Sequence, residues 1–184
     1  MSAIDLTLDT TPWSTALEQL GKRGLVAIAR GINRTGASER TAMARAVAAD
    51  MGLKVGKARD AIQVEKASAS TLEGRVVARG KRIPLIDFKA RGRYPSLGKG
   101  KGVTYTMQGQ KKTWQSAFIA IVGDGHKGVF FRVGRKRLPI KQAYGPSIAR
   151  VFANLLPVGA AARTESLAKN VQHEIEFELS RLKA

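Results

Sequence analysis

The sequence predicts an α+β fold in which a central antiparallel sheet of short strands lies between a long helical segment at the amino end and a long helix at the carboxyl end. Two patterns lead to this prediction. In both terminal regions apolar residues recur at steps of three and four, which is typical of amphipathic helices. In the middle, glycines separate short runs of β-branched and aromatic residues. With 184 residues and 43% apolar content, the chain is long enough for one packed domain.

The first helix is predicted to begin at Thr11, which would cap it, with Pro12 at the first helical position. Gly21 and Gly24 lower the helix propensity, which indicates the close approach of another backbone at this point. Apolar residues then occupy one face of the predicted helix. This stripe consists of Trp13, Leu17, Leu20, Gly24, Ile28 and Ile32.

Two courses are open for the chain after this stripe. Residues 35–38 could break the helix, or the helix could run straight on through an alanine-rich stretch to Met51. In the second case Gly52 would cap its carboxyl end. A short basic helix, Val55 to Ile62, is predicted to follow, and the amino-terminal helical segment is assigned residues 1–61.

Residues 62–141 are predicted to form the β-rich core. The last predicted strand has apolar residues on both faces, which favours a central position in the sheet. Residues 123–128 lie between the last two strands and predict a hairpin turn. Residues 89–101 are rich in basic residues and glycine and contain no acid, so we expect a flexible loop there. The predicted strands are Ile62–Ala67, Arg75–Arg79, Ile83–Phe88, Val103–Met107, Ser116–Val122 and Val129–Val133.

Residues 142–184 are predicted to be helical. A helix from Pro146 to Asn154 is expected first, and a long helix from Pro157 to Ala184 follows it. The acidic residues Glu174, Glu176 and Glu178 are interpreted as surface residues. The apolar stripe of the long helix consists of Leu167, Val171, Ile175, Leu179 and Leu182.

The positive charge is concentrated in the middle of the chain. The formal net charge is +18, and residues 74–141 hold seventeen basic groups against only Asp87 and Asp124. Such a local excess is either a solvated face or a patch that meets a polyanion or an acidic protein surface. The candidate contact residues are Arg79, Lys81, Arg82, Lys89, Arg91, Arg93, Lys99, Lys101, Lys111, Lys112, Arg132, Arg135, Lys136 and Arg137.

The composition argues against a metal or catalytic centre. The chain has no cysteine, and its two histidines, His126 and His173, are far apart in the sequence. Residues 98–102 lack the Lys-Ser/Thr ending of a nucleotide-binding loop. The amino terminus has no basic secretory region, and the apolar runs are shorter than the ~18 residues of a membrane span. We therefore expect a soluble protein that is made inside a cell, is not an enzyme and needs no cofactor.

Four short motifs occur in order in the second half of the chain, and Arg82–Phe88 precedes them. The four motifs are Ala117–Ala120, Gly125–Arg132, Arg137–Ile140 and Tyr144–Ser147. In this order and at this spacing they resemble the minor tail protein Z family of tailed phages and prophages. The resemblance covers about residues 12–160, because the long alanine-rich helix and the short basic helix fit the same family.

This family is similar to the tail-completion and neck proteins of long-tailed phages. The resemblance implies a structural virion protein without catalytic residues, which completes the head-proximal end of the tail and helps to join it to the head. It also implies a ring, commonly hexameric, with tail terminator, tail-tube or neck proteins as partners and DNA passing through the lumen. The protein would then belong to the neck region of the virion after assembly in the host cytoplasm.

The residues of these motifs are expected to maintain the fold rather than to contact partners. The Arg137–Ile140 motif in particular fits a buried turn, because its proline fixes the local backbone. The structural motif residues are Ile83, Pro84, Phe88, Phe118, Ile119, Gly128, Val129, Phe130, Arg137, Leu138, Pro139, Ile140, Tyr144, Gly145 and Pro146.

A second function remains open from the residues alone. A basic module that contacts nucleic-acid phosphates without sequence specificity would need only lysines and arginines on a suitable surface. Aromatic residues make up only 6% of the chain, so base stacking on single strands is not favoured.

Overall fold

The structure of the protein is a computed structural model that describes residues 2–7, 9–92, 102–123 and 125–183. Its helices are α1 (Ser14–Leu20), α2 (Lys22–Met51), α3 (Val55–Asp60), α4 (Ile148–Leu155) and α5 (Ala160–Lys183). Its strands are β1 (Ser2–Leu6), β2 (Ile62–Glu65), β3 (Gly74–Ala78), β4 (Arg82–Pro84), β5 (Arg91–Gly92), β6 (Val103–Met107), β7 (Gln110–Trp114), β8 (Phe118–Val122), β9 (His126–Arg132), β10 (Ile140–Gln142) and β11 (Tyr144–Ser147).

The predicted α+β class is confirmed, but the strands are divided among four small antiparallel sheets. Their strand orders are β1-β3-β2, β10-β9-β8, β11-β4 and β5-β6-β7. The expectation of one central sheet is therefore wrong. The strands are two to seven residues long and left-handed glycines interrupt the chain between several of them, so most strands pair with a near neighbour in sequence. The division of the chain at residues 61 and 141 stays a prediction.

The long amino-terminal helix runs straight through residues 35–38 and ends at Met51, where Gly52 adopts a left-handed conformation and caps it. Its start differs from the prediction. Gly21, at a φ of +51°, separates α1 from α2, so the expected single helix is two helices. Thr11 does not act as the cap; instead it lies in a 3-10 turn, where its backbone N–H donates to a carboxylate oxygen of Asp9.

Helices α2 and α5 pack along each other and form the largest contact in the fold. Ile28 and Ile32 of α2 and Val171 and Ile175 of α5 are almost completely buried. Gly31 permits a close approach, because a Cβ built on it would lie 2.7 Å from the Cα of Val171. The central residues of the predicted apolar stripe on α5 are therefore buried, as expected.

The other face of α2 packs on the sheet formed by β1, β2 and β3. In this sheet β3 is central, and Val76 pairs with Ile4 on one side and Val64 on the other. Gly74 of β3 lies against Ile32, where a Cβ would come within 2.7 Å of the Ile32 side chain. Strand β1 was not predicted from the sequence, yet it closes this layer of the core with Ile4 and Leu6.

Strand β9 lies in the centre of its sheet, as predicted, with β8 and β10 on its two sides. The β8–β9 hairpin turns at residues 123–125, which confirms the predicted hairpin, although Asp124 is outside the described residues. The Trp114 ring of β7 lies 4.9 Å from the Phe131 ring of β9. This contact joins the β5-β6-β7 sheet to the β8-β9-β10 sheet.

Three further predictions are corrected. The stretch Ile83–Phe88 is not one strand, because only Arg82–Pro84 is extended and a 3-10 turn over Leu85–Asp87 follows it. Residues 144–147, predicted as a turn into a helix that begins at Pro146, form β11 against β4, so α4 begins two residues later than predicted. The last long helix begins at Ala160 rather than Pro157.

The end of α5 also differs from the prediction. Leu182 is 49% exposed, while Glu178 is buried. Leu182 follows the buried Ile175 by seven residues and faces nearly the same side of the helix, so its exposure reflects its place in the last turn of α5. Arg30 of α2 compensates the buried carboxylate of Glu178 with an ion pair of 2.8 Å. The interpretation of Glu178 as a surface residue is therefore wrong.

Candidate interaction surfaces

Most of the predicted cationic contact residues lie on three parts of the surface. The basic sheet (β5, β6 and β7) carries Arg91, Lys111 and Lys112; the β3–β4 turn region carries Arg79, Lys81 and Arg82; the β9–β10 loop, residues 133–139, carries Arg135, Lys136 and Arg137. All nine side chains are exposed. Lys89, just before the basic sheet, is exposed with a φ of +54°. Arg93, Lys99 and Lys101, with most of the predicted flexible loop, lie outside the described residues.

The basic sheet has one polar face and one face turned to the core. On the polar face Arg91 pairs with Thr104, and Lys111 pairs with Thr106. The hydroxyls of Thr104 and Thr113 are 3.1 Å apart, which places both on this face. Strand spacing puts Arg91 and Lys111 about 12 Å apart at their Cα atoms. Lys112, the next residue of the edge strand β7, lies on the opposite face of the sheet. The sheet thus offers a small, hydroxyl-lined cationic surface.

The β3–β4 turn region is less cationic than its sequence suggests. Arg79 donates to the carboxylate of Glu65 at 2.8 Å, so much of its charge is compensated within the chain. Arg82 instead lines a neighbouring groove. Lys81 is exposed, and no carboxylate of the described residues lies within salt-bridge distance of Lys81 or Arg82.

The β9–β10 loop is exposed along its whole length. The expectation that Arg137–Ile140 forms a buried turn is therefore wrong: Leu138 is 66% exposed. Strand β9 ends at Arg132, and strand β10 begins only at Ile140. The first three residues of the motif therefore lie in the tip of the hairpin, beyond the core. Val133, on the other arm of the tip, is 52% exposed.

The base of this loop is firmly held. The backbone N–H of Val133 donates to the carbonyl of Pro139 at 3.2 Å, and Arg132 pairs with Ile140 one step below. The Arg132 guanidinium lies 5.0 Å from the centre of the Phe118 ring. Such a cation–π contact fixes Arg132 at the start of the loop, so this candidate contact residue has a structural partner inside the chain.

A groove of about 710 Å³ lies beside the Tyr144–Ser147 motif, between the end of α2 and α4. Arg82, Arg150, Asp50 and Ser147 contribute polar groups to its lining. Gly145 is required at its floor, because a Cβ there would lie 2.6 Å from the buried ring of Phe88. We call this the motif groove. Its lining combines apolar side chains with two arginines and one carboxylate.

The terminal-helix face is formed by the start of α2 and the end of α5. Arg181 lines the same surface pocket as Val26 of α2, and its guanidinium lies 3.6 Å from the Glu178 carboxylate and 5.8 Å from the centre of the Phe177 ring. Phe177 is 51% exposed, and Val26 on α2 is also exposed. An exposed aromatic beside other apolar and basic side chains is typical of a protein-binding surface.

The remaining motif residues are divided between the core and the surface. Arg137, Leu138, Pro139 and Tyr144 are exposed, whereas Ile83, Pro84, Ile140, Gly145 and Pro146 are half-buried. Phe88, Phe118, Ile119, Gly128, Val129 and Phe130 are buried. That the buried group maintains the fold stays a prediction.

The described residues contain no group of three or more His, Asp or Glu side chains that could hold a metal ion. In the same residues, no helix is long and apolar enough to cross a membrane. Both His126 and His173 are exposed. Burial raises the pKa of Glu39, and the nearby Arg163 opposes this shift. Hydrogen bonds from Thr11 lower the pKa of Asp9.

Comparison with protein families gives one match over nearly the whole chain. The model of the prophage minor tail protein Z family matches residues 14–183. The chain belongs to this family. The comparison with curated proteins found no match, and the comparison with solved structures found none either.

Membership in this family identifies the chain as a minor tail protein of a phage or prophage, with a structural role in the virion tail. Families of tail structural proteins are generally not enzymes. The resemblance predicted from the Arg82–Ser147 motifs is therefore confirmed.

Sequence reasoning missed two surfaces of this minor tail protein. The motif groove depends on Arg150 and Asp50, which are distant in sequence and which no pattern connects. The exposure of Phe177 was not predicted, because the nearby residues Ile175 and Glu178 of the same helix are buried. This exposure could have been inferred from the sequence, because Phe177 lies outside the predicted apolar stripe of α5, on the side where the charged residues lie.

Proposed function

We propose that this minor tail protein completes the head-proximal end of the tail as a closed ring of about six subunits, which helps to join the tail to the head. The observation that carries the proposal is the family match over residues 14–183. A ring of identical subunits needs two different lateral surfaces on each subunit and further surfaces for the proteins above and below.

The distribution of surfaces along α2 supports this role. Val26 of the terminal-helix face and Asp50 of the motif groove lie near opposite ends of the helix. At 1.5 Å per residue they are separated by about 36 Å along the helix axis. One subunit can therefore contact a neighbour through the helices and a different protein through the groove and the adjoining basic surfaces.

The partners that fit this proposal are other copies of the chain and the tail terminator, tail-tube or neck proteins. DNA passing through the lumen would meet some of the exposed cations, and assembly would take place in the host cytoplasm. Firm binding to DNA would hinder its passage. We therefore infer weak, screened contacts with DNA and stronger contacts with proteins.

Light scattering behind a sizing column at high salt, with negative-stain imaging of the peak, tests the ring. We expect closed rings of about six subunits. The double variant Val26→Asp/Phe177→Asp should shift the mass to that of a monomer, because it places charge in the proposed lateral contact. Val55→Asp is the matched control, since Val55 is an exposed apolar residue on α3. Rings that persist in the double variant would show that the lateral contact lies elsewhere.

The basic sheet favours a second candidate function, the binding of nucleic-acid phosphates. Arg91 and Lys111 share a face with three threonine hydroxyls, and side chains of these types commonly contact phosphate. A titration of a 30-base-pair duplex at several salt concentrations decides between the two. Tight binding in moderate salt would favour the nucleic-acid module, if the logarithm of the affinity also falls with the logarithm of the salt concentration at a slope that corresponds to several phosphate contacts.

A further inference from the structure

The β9–β10 loop combines two properties that a solvated turn does not need. Arg135, Lys136 and Arg137 are consecutive cations, and no carboxylate of the described residues lies within salt-bridge distance of them. Val133 and Leu138 flank them and are 52% and 66% exposed. Exposed apolar side chains on both arms of a cationic tip cost solvation free energy in the free protein.

We propose that this loop is a docking element for an acidic protein surface with an apolar recess, belonging to another protein of the tail or neck. The proposal rests on the tail role given above and assigns that role to particular residues. The cations would pair with carboxylates of the partner, and the side chains of Val133 and Leu138 would enter the recess between them.

The loop is organised for such a contact before the partner arrives. Its base is closed by the bond from Val133 to Pro139, and its two strands are held in the sheet. The Phe131 ring packs against Trp114 directly below the tip. A loop with a fixed base loses less conformational entropy on binding than a free segment of the same length.

The apolar pair distinguishes a protein partner from DNA. Phosphates attract the three cations but offer no apolar surface to Leu138. A second copy of the chain offers this cationic loop little acidic surface, because the chain has 32 basic and only 14 acidic residues. In addition, Asp5 and Glu65, two of its exposed acids, already pair with Arg75 and Arg79. The observations therefore favour a different, acidic protein.

The test uses tails from a phage stock in which the gene for this chain is deleted, and it measures co-sedimentation of the added purified protein. The charge variant is Arg135→Gln/Lys136→Gln/Arg137→Gln, and the apolar variant is Val133→Ser/Leu138→Ser. Lys54→Gln/Lys66→Gln/Lys169→Gln removes the same charge from three exposed lysines outside the three basic surfaces and is the control. Each loop variant should lower the affinity for tails at least about tenfold, and the control should change it less than about twofold.

Each other outcome has a definite meaning. Wild-type protein that binds tails, together with loop variants that bind equally well, would overturn the docking proposal and leave the tail role intact. Wild-type protein that does not bind tails at all would overturn both. A charge variant that loses affinity for a 30-base-pair duplex but keeps its affinity for tails would assign the loop to DNA.

A second measurement does not depend on how the variants fold. Leu138→p-benzoylphenylalanine places a photo-crosslinker at the most exposed apolar position of the loop. Irradiation of reconstituted tails should join it to a peptide rich in Asp and Glu from a different tail protein. Crosslinks to another copy of this chain, or to a peptide without acidic residues, would contradict the proposal.

Discussion

Gly31 of α2 lies directly against the backbone of Val171 in α5. A Cβ on Gly31 would be 2.7 Å from both the Cα and a methyl carbon of Val171, and 2.9 Å from its backbone nitrogen. Backbone cannot move aside as a flexible side chain can, so the two long helices can pack at this distance only if residue 31 has no side chain. The contact sets the position of the terminal-helix face, which lies further along the same two helices.

Replacing Gly31 with alanine should therefore destabilise the protein by about 1–3 kcal/mol, because the added methyl group forces α2 and α5 apart. Urea unfolding followed by circular dichroism measures this. Gly56→Ala in α3 is the matched control, since no atom lies within 4 Å of the position of the new Cβ. It should stabilise the helix slightly. Equal effects of the two substitutions would contradict the packing account.

Asn33 joins α2 to the segment after β2 through both halves of its amide group. Its Nδ2 donates to the Ala67 carbonyl at 2.9 Å, and its Oδ1 accepts from the Ala67 N–H at 2.8 Å. Asn33→Asp keeps the acceptor but sets a carboxylate against the carbonyl. We expect the free energy of unfolding, measured in urea, to fall by about 1–3 kcal/mol. Asn154→Asp, at an exposed position of α4, should cost much less; comparable losses would count against this role of Asn33.

Glu178 has only 7% of its side chain exposed and depends on Arg30 and Arg181 for compensation of its charge. Glu178→Ala leaves both cations unpaired and removes packing, so the free energy of unfolding should fall by about 1–3 kcal/mol. Glu176→Ala, on the exposed side of the same helix, is the control and should change it by less than about 0.5 kcal/mol. A Glu178→Ala protein as stable as the control would refute the importance of this ion pair.

Glu39 predicts a pH dependence. Burial raises its pKa above the usual 4.5, and Arg163 opposes the shift. The folded state thus binds the proton more tightly than the unfolded state. Its contribution to stability is complete below the unfolded-state pKa and is lost as the pH rises through the folded-state pKa. Glu39→Gln should therefore be more stable than the wild type at pH 7, and the difference should shrink well below pH 4.5.

Unfolding in urea at both pH values measures this difference. Glu18→Gln, an exposed carboxyl on α1, is the control for the loss of one negative charge from a cationic protein. A Glu39→Gln variant less stable than the wild type at pH 7 would mean that attraction to Arg163 outweighs burial.

The sequence predicted the parts of the fold that have a clear period or a clear stop signal. Helix α2 continues to Gly52, which was one of the two courses that the sequence left open, and β9 is central, as the apolar residues on both of its faces predicted. Strands β1, β5, β7, β10 and β11 were missed, and β5 lies in the stretch that was predicted to be a flexible loop. Strand β7 consists mainly of exposed polar residues, and β11 contains glycine and proline, so neither has the alternation that marks a strand.

The candidate surfaces were less predictable than the fold, because they depend on tertiary position. The charge of Arg79 is compensated by Glu65, which is fourteen residues away on a neighbouring strand. Motif residues in Arg137–Ile140 were expected to be buried, since a proline within an apolar motif is compatible with an internal turn. Only the length of the hairpin beyond Arg132 shows that they lie outside the core.

The central claim is that this minor tail protein acts at the head-proximal end of the tail. Electron microscopy of gene-deleted tails, incubated with gold-labelled protein and washed, tests it most directly. The account predicts label at one end only, the end that joins the head, and none along the tube. Label at the distal tip, label spread along the tube, or unlabelled tails would contradict it.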